Sequence, residues 1–466
     1  MVFSSTTFLF VFLPIVLVVV YPLRRAWQNV ALLVLSVAFY LWGAGSDIVY
    51  ITFVSLASWF LALFLAQRRG WSGRVLYLVS IVLVISPLLM VKYVPVIAQV
   101  ASVDTVFAQV SLPLGISFFT FHGLSYVMDV RRGDQPRETR LDHYLLYLFL
   151  FPHQIAGPIV RYGEIRSEIK SRLRPRTQDV VYGLSRFGWG LFKKVVIADQ
   201  CGAVASVVFD TGGPTTATEA WIGALAFTAQ IYFDFSGYSD MAIGLARVFN
   251  FHFPENFAGP YRSVSATEFW RRWHMTLSRW FRDYVYIPLG GNRHGPIREY
   301  AALLITFGLT SLWHGATWPY LLWGGLWSTA LVVERVTGLR SVTGYIALRR
   351  ALMAIFIIVT WVPFRSTTMT QTVDMWTAMV TGDWSMPSPA LLVALTPLNV
   401  AALGVGVLIF FLPDAGPRRI FDRLVQRGDT QQINVRVAVV VGALALLGGV
   451  IMALWGSFSP FLYFQF

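Results

Sequence analysis

Long apolar runs recur along the whole chain, and short loops rich in Lys and Arg separate them. The 466 residues are 56% hydrophobic and only 13% charged, whereas a soluble domain has about a quarter charged residues. The runs are continuous and do not alternate in polarity, which argues against a transmembrane β-barrel. The chain is therefore predicted to be an all-α polytopic membrane protein that forms a single integral membrane domain over residues 1–466.

The formal net charge of +13 would suit nucleic acid, but its placement indicates a bilayer. Lys and Arg lie in the short loops between apolar runs, as the positive-inside bias predicts. Cys201 is the only cysteine, and no two histidines have the helical spacing of a zinc site. We predict no nucleic-acid partner and no metal site.

Alternation of these loops predicts roughly 11 to 13 membrane segments of about 20 residues each. The first, Met1 to Tyr21, is interpreted as a retained span with Arg24 and Arg25 on the cytoplasmic side, and Ser102 to Gln109 is an outer loop. The later spans lie near Asn29 to Trp42, Ile48 to Ala66, Val75 to Pro95, Leu112 to Val130, Val180 to Phe209, Trp221 to Phe249, Leu352 to Trp361, Leu391 to Leu412 and Ala438 to Trp455.

Tyr144 to Val160 breaks this alternation because both of its flanks are basic. Pro152, Gly157 and Pro158 suit a re-entrant or surface-lying turn. Such a backbone is tolerated at membrane depth only against protein or water.

Tyr300 to Arg335 is apolar except for a corner at Trp313 to Pro319. The arm before His314 supplies about 13 residues, or roughly 20 Å, against a hydrocarbon core of about 30 Å. The corner is therefore expected to stop inside the bilayer. An imidazole there is costly unless it faces protein or water, so His314 is a candidate functional residue.

Ser265 to Tyr284 has a capping-box start and an apolar stripe at three- and four-residue steps. This pattern predicts one amphipathic interfacial helix with its Trp residues at headgroup level. Two interpretations of His274 stay open. It is a polar edge residue of a lipid-anchored collar, or it is a second histidine facing the cavity of His314, with Arg271 and Arg272 attracting an anionic donor.

Other candidates each carry a structural and a functional interpretation. Asp234 and Asp240 lie in an apolar run, where they tie helices together or transfer protons. His153 lines a tunnel or caps a helix end. Asn292 and Arg293 follow paired glycines in a turn that either approaches an anion or is an ordinary loop. Gly237 and Gly244 favour close helix packing.

A histidine inside the membrane suits acyl transfer from a thioester to a hydroxyl. Its unperturbed pKa of about 6.5 lies near working pH, and a general base contributes roughly 10²- to 10⁴-fold. Donor and acceptor can then approach from opposite faces of the bilayer.

These residues resemble the membrane-bound O-acyltransferase family, and within it the bacterial alginate O-acetyltransferase branch. The matching stretches run nearly from end to end: Met1 to Ser5, Phe118 to Phe121, Ile155 to Pro158, Gln230 to Asp240, Trp270 to His274, Pro288 to Arg293, Trp313 to Ala316 and Tyr463 to Phe466.

The resemblance implies that His314 is the essential histidine, that His274 is the second, and that a ring of helices surrounds a central tunnel. Trp313 would line that tunnel. No cofactor would be bound, and cytoplasmic acetyl-CoA would be the acyl donor. Periplasmic or membrane-anchored polysaccharide acetyltransferases at the bacterial inner membrane would be the partners.

Three alternatives stay open at this point. The first is D-alanyl transfer to teichoic acid, which neighbouring genes for a carrier protein and its ligase would indicate. The second is a transporter whose proton path uses His314 and the two aspartates. The third is a structural subunit of a synthase complex, in which a His314→Ala variant would keep activity.

Overall fold

The computed structural model describes residues 2–68, 70–101, 112–171, 174–214, 216–339, 344–408, 410–411, 431–455 and 461. Within these ranges the regular elements are helices, with no strand. The predicted all-α polytopic fold class is confirmed. The predicted outer loop Ser102 to Gln109 lies outside the described residues.

Clustering of contacts divides the chain into two compact units, each built from two sequence segments. Unit 1 is Met1–Phe187 with Ser239–Pro254, and unit 2 is Gly188–Tyr238 with Glu255–Phe466. The ring and tunnel remain expectations of the resemblance, and the single domain over 1–466 stays a prediction.

Unit 1 contains the N-terminal helices. After a π-helical turn at Phe8–Phe12 come α1 (Leu13–Val20), α2 (Arg25–Ala44), α3 (Ile48–Leu65), α4 (Gly70–Ala101), α5 (Ile116–Arg132), α6 (Leu141–Phe149), α7 (Tyr162–Lys170) and the start of α8 (Thr177–Phe192). A 3₁₀ turn at Gly45–Asp47 joins α2 to α3. Their bounds agree with the predicted spans to within a few residues for α2 and α3.

Length and composition identify three stretches in the described chain as able to cross a membrane: Arg25–Leu65, Gly70–Ala98 and Ile346–Arg365. Shorter apolar helices are Phe8–Val20, Pro397–Leu408 and Gly442–Leu454. Large apolar side chains on these stretches are exposed, including Val34 at 60% and Leu78 at 62%. Such faces suit lipid, and the range of 11 to 13 segments stays a prediction.

The segment Tyr144 to Val160 is helical only as far as Phe149, and residues 150–160 are irregular and buried. Tyr147 donates its hydroxyl hydrogen to the Val160 carbonyl at 2.9 Å, and the Ser36 hydroxyl accepts from the Phe151 amide at 3.1 Å. The segment is therefore non-helical and packed against protein, and its re-entrant or surface-lying placement in the membrane stays a prediction.

Unit 2 carries the remaining helices. They are α9 (Asp199–Asp210), α11 (Ala266–Arg272), α12 (Met275–Phe281), α13 (Pro296–His314), α14 (Trp318–Val336), α15 (Ile346–Arg365), α16 (Met369–Thr381), α17 (Pro389–Ala394), α18 (Pro397–Leu408) and α19 (Gln431–Trp455). Helix α10 (Ala217–Val248) contributes to both units, and a π-helical stretch at Lys193–Ala198 links α8 to α9.

Glycines let α8 and α10 approach each other closely. In unit 1, a Cβ on Gly244 would lie 2.5 Å from the Gly183 carbonyl oxygen. In unit 2, a Cβ on Gly237 would lie 2.8 Å from the Gly190 carbonyl oxygen. The packing role predicted for Gly237 and Gly244 is confirmed.

Candidate active site

His314 is the last residue of α13 and is 4% exposed. The helix begins at Pro296, four residues before the predicted arm, because the polar first turn carrying Arg298 and Glu299 is also helical. Its 19 residues span roughly 28 Å, close to the thickness of the hydrocarbon core. The predicted length of about 13 residues is wrong, and length no longer fixes the depth of His314.

The corner after His314 is held by tight packing between α13 and α14. A Cβ on Gly324 would overlap the Ser311 hydroxyl, one turn before His314, so a larger residue here would force Ser311 to move. The Gly315 amide donates to the Ser311 carbonyl at 3.0 Å, and a Cβ on Gly315 would lie 2.6 Å from the Tyr320 ring. The chain therefore fixes the helix end that carries the imidazole.

Aromatic rings surround His314. Trp323 of α14 meets its ring edge-on at a centroid distance of 5.2 Å, and Phe364 of α15 does so at 4.8 Å. Trp313 lies 4.5 Å away. Three elements thus build a largely water-excluding site around one titratable ring.

His274 lies at a break between α11 and α12, with φ +40° and ψ +55°. The left-handed region is costly for a residue other than glycine and often marks a functional site. The predicted continuous helix from Ser265 to Tyr284 is therefore wrong, although its start is confirmed because Ser265 accepts from the Glu268 amide. Main-chain bonds explain the break: Met275 donates to the Asn256 carbonyl and Ala258 donates to the Arg272 carbonyl, each at 2.9 Å.

The side chain of Asn256 orients the His274 ring. Its Oδ1 lies 3.0 Å from His274 Nδ1 and also accepts from the amide and hydroxyl of Thr276 at 3.3 and 2.9 Å. An amide oxygen only accepts, so Nδ1 carries the hydrogen. Burial lowers the pKa of His274 to about 3. The ring is therefore neutral at pH 7, and its lone pair lies on Nε2.

The predicted apolar stripe of this segment packs inside the protein. Trp273, Leu277, Trp280 and Tyr284 are at most 6% exposed. Protein buries these four side chains, and Trp273, for example, lies 5.0 Å from Trp361. This favours the cavity-facing interpretation of the segment over the lipid-anchored collar.

Trp313 connects the two histidines. Its indole lies 4.5 Å from the His314 ring and 6.5 Å from the His274 ring, measured between centroids. His274 also meets Phe235 edge-on at 4.6 Å. The structure therefore brings His274 close to Trp313 and His314, although the two histidines are forty residues apart in the sequence (314 − 274).

A cavity of about 420 Å³ in unit 2 includes Arg271 and Asn292 in its lining. Trp270 also lines this cavity. The Trp323 ring lies between Trp270 and His314, with centroid distances of 5.8 Å to Trp270 and 5.2 Å to His314. Arg272 instead pairs with Glu268, and Arg293 is exposed and outside the lining. Of the four predicted polar residues, two are placed at the cavity.

The paired-glycine turn is closed by its own backbone. The amides of Gly290, Gly291 and Arg293 donate to the carbonyls of Ile287, Tyr286 and Gly290 at 3.0, 3.0 and 3.1 Å. These groups are already bonded within the turn, so the ordinary-loop interpretation is favoured.

The two aspartates form buried ion pairs. Asp234 lies 2.8 Å from Lys194 in unit 2, and Asp240 lies 2.8 Å from Arg186 in unit 1. Both arrangements favour the structural interpretation.

His153 belongs to unit 1, whereas His274 and His314 belong to unit 2. It is fully buried, and its Nε2 lies 2.7 Å from the Tyr147 carbonyl in the last turn of α6. Its ring stacks on Phe253 at 5.0 Å. The helix-capping interpretation is favoured over the tunnel.

Two site residues escaped sequence reasoning. Asn256 is 18 residues from His274 and has no local pattern that relates the two. Glu334, on α14, accepts from the amides of Ala266 and Thr267 at the start of α11. In the sequence, Glu334 is a charged residue at the end of an apolar run, and no local pattern relates it to the start of α11.

The sequence is similar to one protein family and to several known proteins. A profile of the membrane-bound O-acyltransferase family matches residues 34–362. The chain is 38% identical to a probable alginate O-acetylase of Pseudomonas putida over the full length of both. It is 40% identical to a peptidoglycan O-acetyltransferase of Helicobacter pylori over 48% of this chain and 47% of that one. A teichoic acid D-alanyltransferase of Bacillus subtilis is 28% identical over 56% of this chain and 68% of its own length.

Proposed function

The chain belongs to the membrane-bound O-acyltransferase family and is an acyltransferase, and on that premise we propose that it moves an acetyl group across the bacterial inner membrane. The donor is a cytoplasmic thioester, acetyl-CoA, and the product is an O-acetylated exopolysaccharide such as alginate. The full-length likeness to probable alginate O-acetylases supports this substrate class.

The observation that carries the proposal is the buried His314 ring at a rigid helix end. We assign it as the general base. It takes the proton of the acceptor hydroxyl while that oxygen attacks the thioester carbonyl carbon. The carbon–sulfur bond then breaks, and the proton passes to the thiolate, which departs as a free thiol.

His274 is proposed as the second histidine of the site. Its Nδ1–H is held by Asn256, so Nε2 is the nitrogen that accepts a proton or a hydrogen bond. Trp313, in contact with both imidazoles, helps to exclude water from them. No metal enters this chemistry as we propose it.

The 420 Å³ cavity is proposed to receive part of the donor. Pockets of roughly 300–1,000 Å³ are typical of small-molecule sites. This one is lined by Arg271 and by two arginines that already hold ion pairs, Arg282 with Asp283 and Arg335 with Glu299. Arginine suits phosphate groups such as those of a coenzyme A thioester because its fork is planar and always charged. Partner acetyltransferases, periplasmic or membrane-anchored, would accept the acetyl group on the far side.

The test is the acetyl content of the polymer in cells that carry His314→Ala. We expect acetylation to fall to background while immunoblots show a normal protein level. His294→Ala is the matched control, since His294 is an exposed loop histidine outside the proposed site. Full acetylation in His314→Ala would refute the proposal.

The partial likeness to the Helicobacter pylori and Bacillus subtilis enzymes supports a second acceptor class, a cell-wall polymer. Ester-linked acetate and D-alanine should therefore be measured on purified cell wall as well as on exopolysaccharide. Neighbouring genes for a carrier protein and its ligase would favour D-alanyl transfer. Solute or ion flux in liposomes without acyl transfer would favour the transporter alternative.

A further inference from the structure

A second cavity, of about 510 Å³, lies in unit 1, and none of the residues proposed for acyl transfer lines it. Three separate segments form its walls. They are the first turn of α2 with Arg25 and Asn29, the start of α6 with Arg140 and His143, and the end of α7 with Lys170.

The lining of this cavity is cationic. Asp142 pairs with Arg140 at 2.7 Å, and Glu138 pairs with Lys170 at 2.8 Å. The side chain of Arg25 has no ion pair or hydrogen bond within the part of the chain that the structure describes. Three cations face two carboxylates, Asp142 in the lining and Glu138 beside Lys170, so one positive charge is left in excess, and this favours an anion.

The floor of the cavity carries polar atoms whose bonding is incomplete. His143 is 8% exposed, and its Nδ1 has no hydrogen-bond partner among the described residues. Asn29 Nδ2 donates to the Ile169 carbonyl at 2.8 Å, whereas its Oδ1 has no partner there. Buried polar atoms usually have a hydrogen-bond partner. A ligand in this cavity could therefore bond to Asn29 Oδ1 and to His143 Nδ1.

The cavity lies at one end of a membrane-crossing stretch. Arg25 is the first residue of the apolar stretch Arg25–Leu65. Trp27, two residues later, is 60% exposed, and exposed Trp at the end of an apolar helix is typical of the headgroup level. An anion bound here would therefore lie at the membrane surface.

An apolar track leads from the cavity along α2. Ala26 and Val30 line the cavity, and Val34 continues the same helix face at a spacing of four residues. Val30 is 38% and Val34 is 60% exposed. A soluble phosphate would leave the apolar side chains of Val30 and Val34 exposed, whereas the acyl chain of a lipid would cover them.

We propose that this cavity binds the headgroup of an anionic glycerophospholipid from the adjoining leaflet. Its phosphate lies among Arg25, Arg140 and Lys170, a headgroup hydroxyl donates to Asn29 Oδ1, and an acyl chain follows Val30 and Val34. The phosphate chemistry alone would also suit a soluble phosphate ester, so the test separates the two sources.

The test is native mass spectrometry of the full-length protein in detergent, titrated with phosphatidylglycerol or phosphatidylcholine. Phosphatidylglycerol should bind more tightly than phosphatidylcholine.

Arg25→Glu should weaken the binding of phosphatidylglycerol about tenfold, because a charge near the headgroup is reversed. Arg24→Glu is the matched control: it is the neighbouring exposed arginine outside the lining, and it should change the affinity less than about twofold. Asn29→Asp, which places a carboxylate on the floor, should weaken binding as well, with a thermal unfolding midpoint near that of the unmodified chain.

Equal binding of the two lipids, or equal weakening in the Arg24 and Arg25 variants, would overturn the proposal. Complete displacement of phosphatidylglycerol by glycerol 3-phosphate at the same concentration would show a soluble phosphate site and would overturn the lipid assignment. Acyl transfer is not measured, so failure here is distinct from failure of the proposed function.

Discussion

Each unit contains a pair of histidines whose rings are buried among aromatic side chains, but the two pairs are held differently. In unit 1 the rings of His122 and His153 lie 4.6 Å apart. His122 Nε2 accepts from the Val160 amide at 3.3 Å, and His153 Nε2 donates to the Tyr147 carbonyl at 2.7 Å. Both imidazoles therefore hold the main chain around the irregular segment 150–160.

In unit 2 the rings of His274 and His314 both lie next to Trp313. His274 is oriented by the side chain of Asn256, which leaves its Nε2 as the basic nitrogen. His314 stands at a helix end among Trp313, Trp323 and Phe364. The comparison teaches that burial of a histidine does not by itself indicate chemistry: main-chain groups hold the rings of His122 and His153, whereas a side chain orients His274 beside Trp313.

The largest effect expected from this comparison is on the rate of acyl transfer. His314→Gln should lower the single-turnover rate of the purified protein roughly 10²- to 10⁴-fold, because the general base is lost. Its thermal unfolding midpoint should stay within a few degrees of the unmodified protein.

His153→Gln is the control from unit 1. It should lower stability by about 1–3 kcal/mol, since a buried hydrogen bond is lost, while folded protein keeps its rate. A rate loss in His153→Gln equal to that in His314→Gln would erase the distinction between the two regions.

A second test concerns the ion pair of Asp234. Asp234→Ala should lower the free energy of unfolding by about 1–3 kcal/mol, because the buried Lys194 would lose one of its two carboxylates and keep only Asp199. Asp210→Ala, which breaks a pair whose carboxylate is 48% exposed, should cost about 0–1 kcal/mol. Denaturant midpoints in detergent measure both. A stable but inactive Asp234→Ala protein would assign Asp234 to the chemistry.

A smaller effect is expected from the positioning residue Asn256. Asn256→Ala removes the acceptor for His274 and Thr276 and should slow transfer about tenfold, which corresponds to about 1.4 kcal/mol. Asn256→Asp keeps an acceptor and adds a negative charge, which raises the pKa of His274. It should restore most of the rate and move the lower limb of the pH–rate profile to higher pH. An unchanged profile would indicate a merely structural role.

The smallest effect concerns acid stability in unit 1. Burial raises the pKa of the Glu138 carboxyl, but hydrogen bonds from Lys170 and Tyr162 outweigh it and hold the pKa below its usual value of 4.5. A carboxyl with a lowered folded-state pKa contributes stability above its unfolded value, and this contribution is lost as the pH falls through the folded value. Melting temperatures should therefore decline below about pH 4.5, and less so in Glu138→Gln. Equal declines would exclude Glu138 as the source.

Much of the helical framework could be predicted from the sequence because apolar runs are a local signal. The spans predicted near Asn29 to Trp42 and Ile48 to Ala66 correspond to α2 and α3. The start of α13 was missed because Arg298 and Glu299 lower its hydropathy, although Gly295 and Pro296 mark a helix start in the sequence.

The break at His274 could not be predicted in the same way. No Pro or Gly lies there, and the spacing of Trp273, Leu277 and Trp280 favours a continuous helix. The bonds that hold the break come from residues 256–258, so tertiary contacts override the local pattern. The pairing of Asp234 with Lys194 was missed for the same reason, since it joins residues forty positions apart (234 − 194).

Cys201, the single cysteine of the chain, is fully buried on α9. A thiol-directed maleimide should therefore leave the native chain unlabelled, and each cysteine introduced elsewhere would report its own surroundings without further engineering. Such cysteines, placed one at a time along α13 and probed with permeant and impermeant reagents, would measure the depth of the corner at His314.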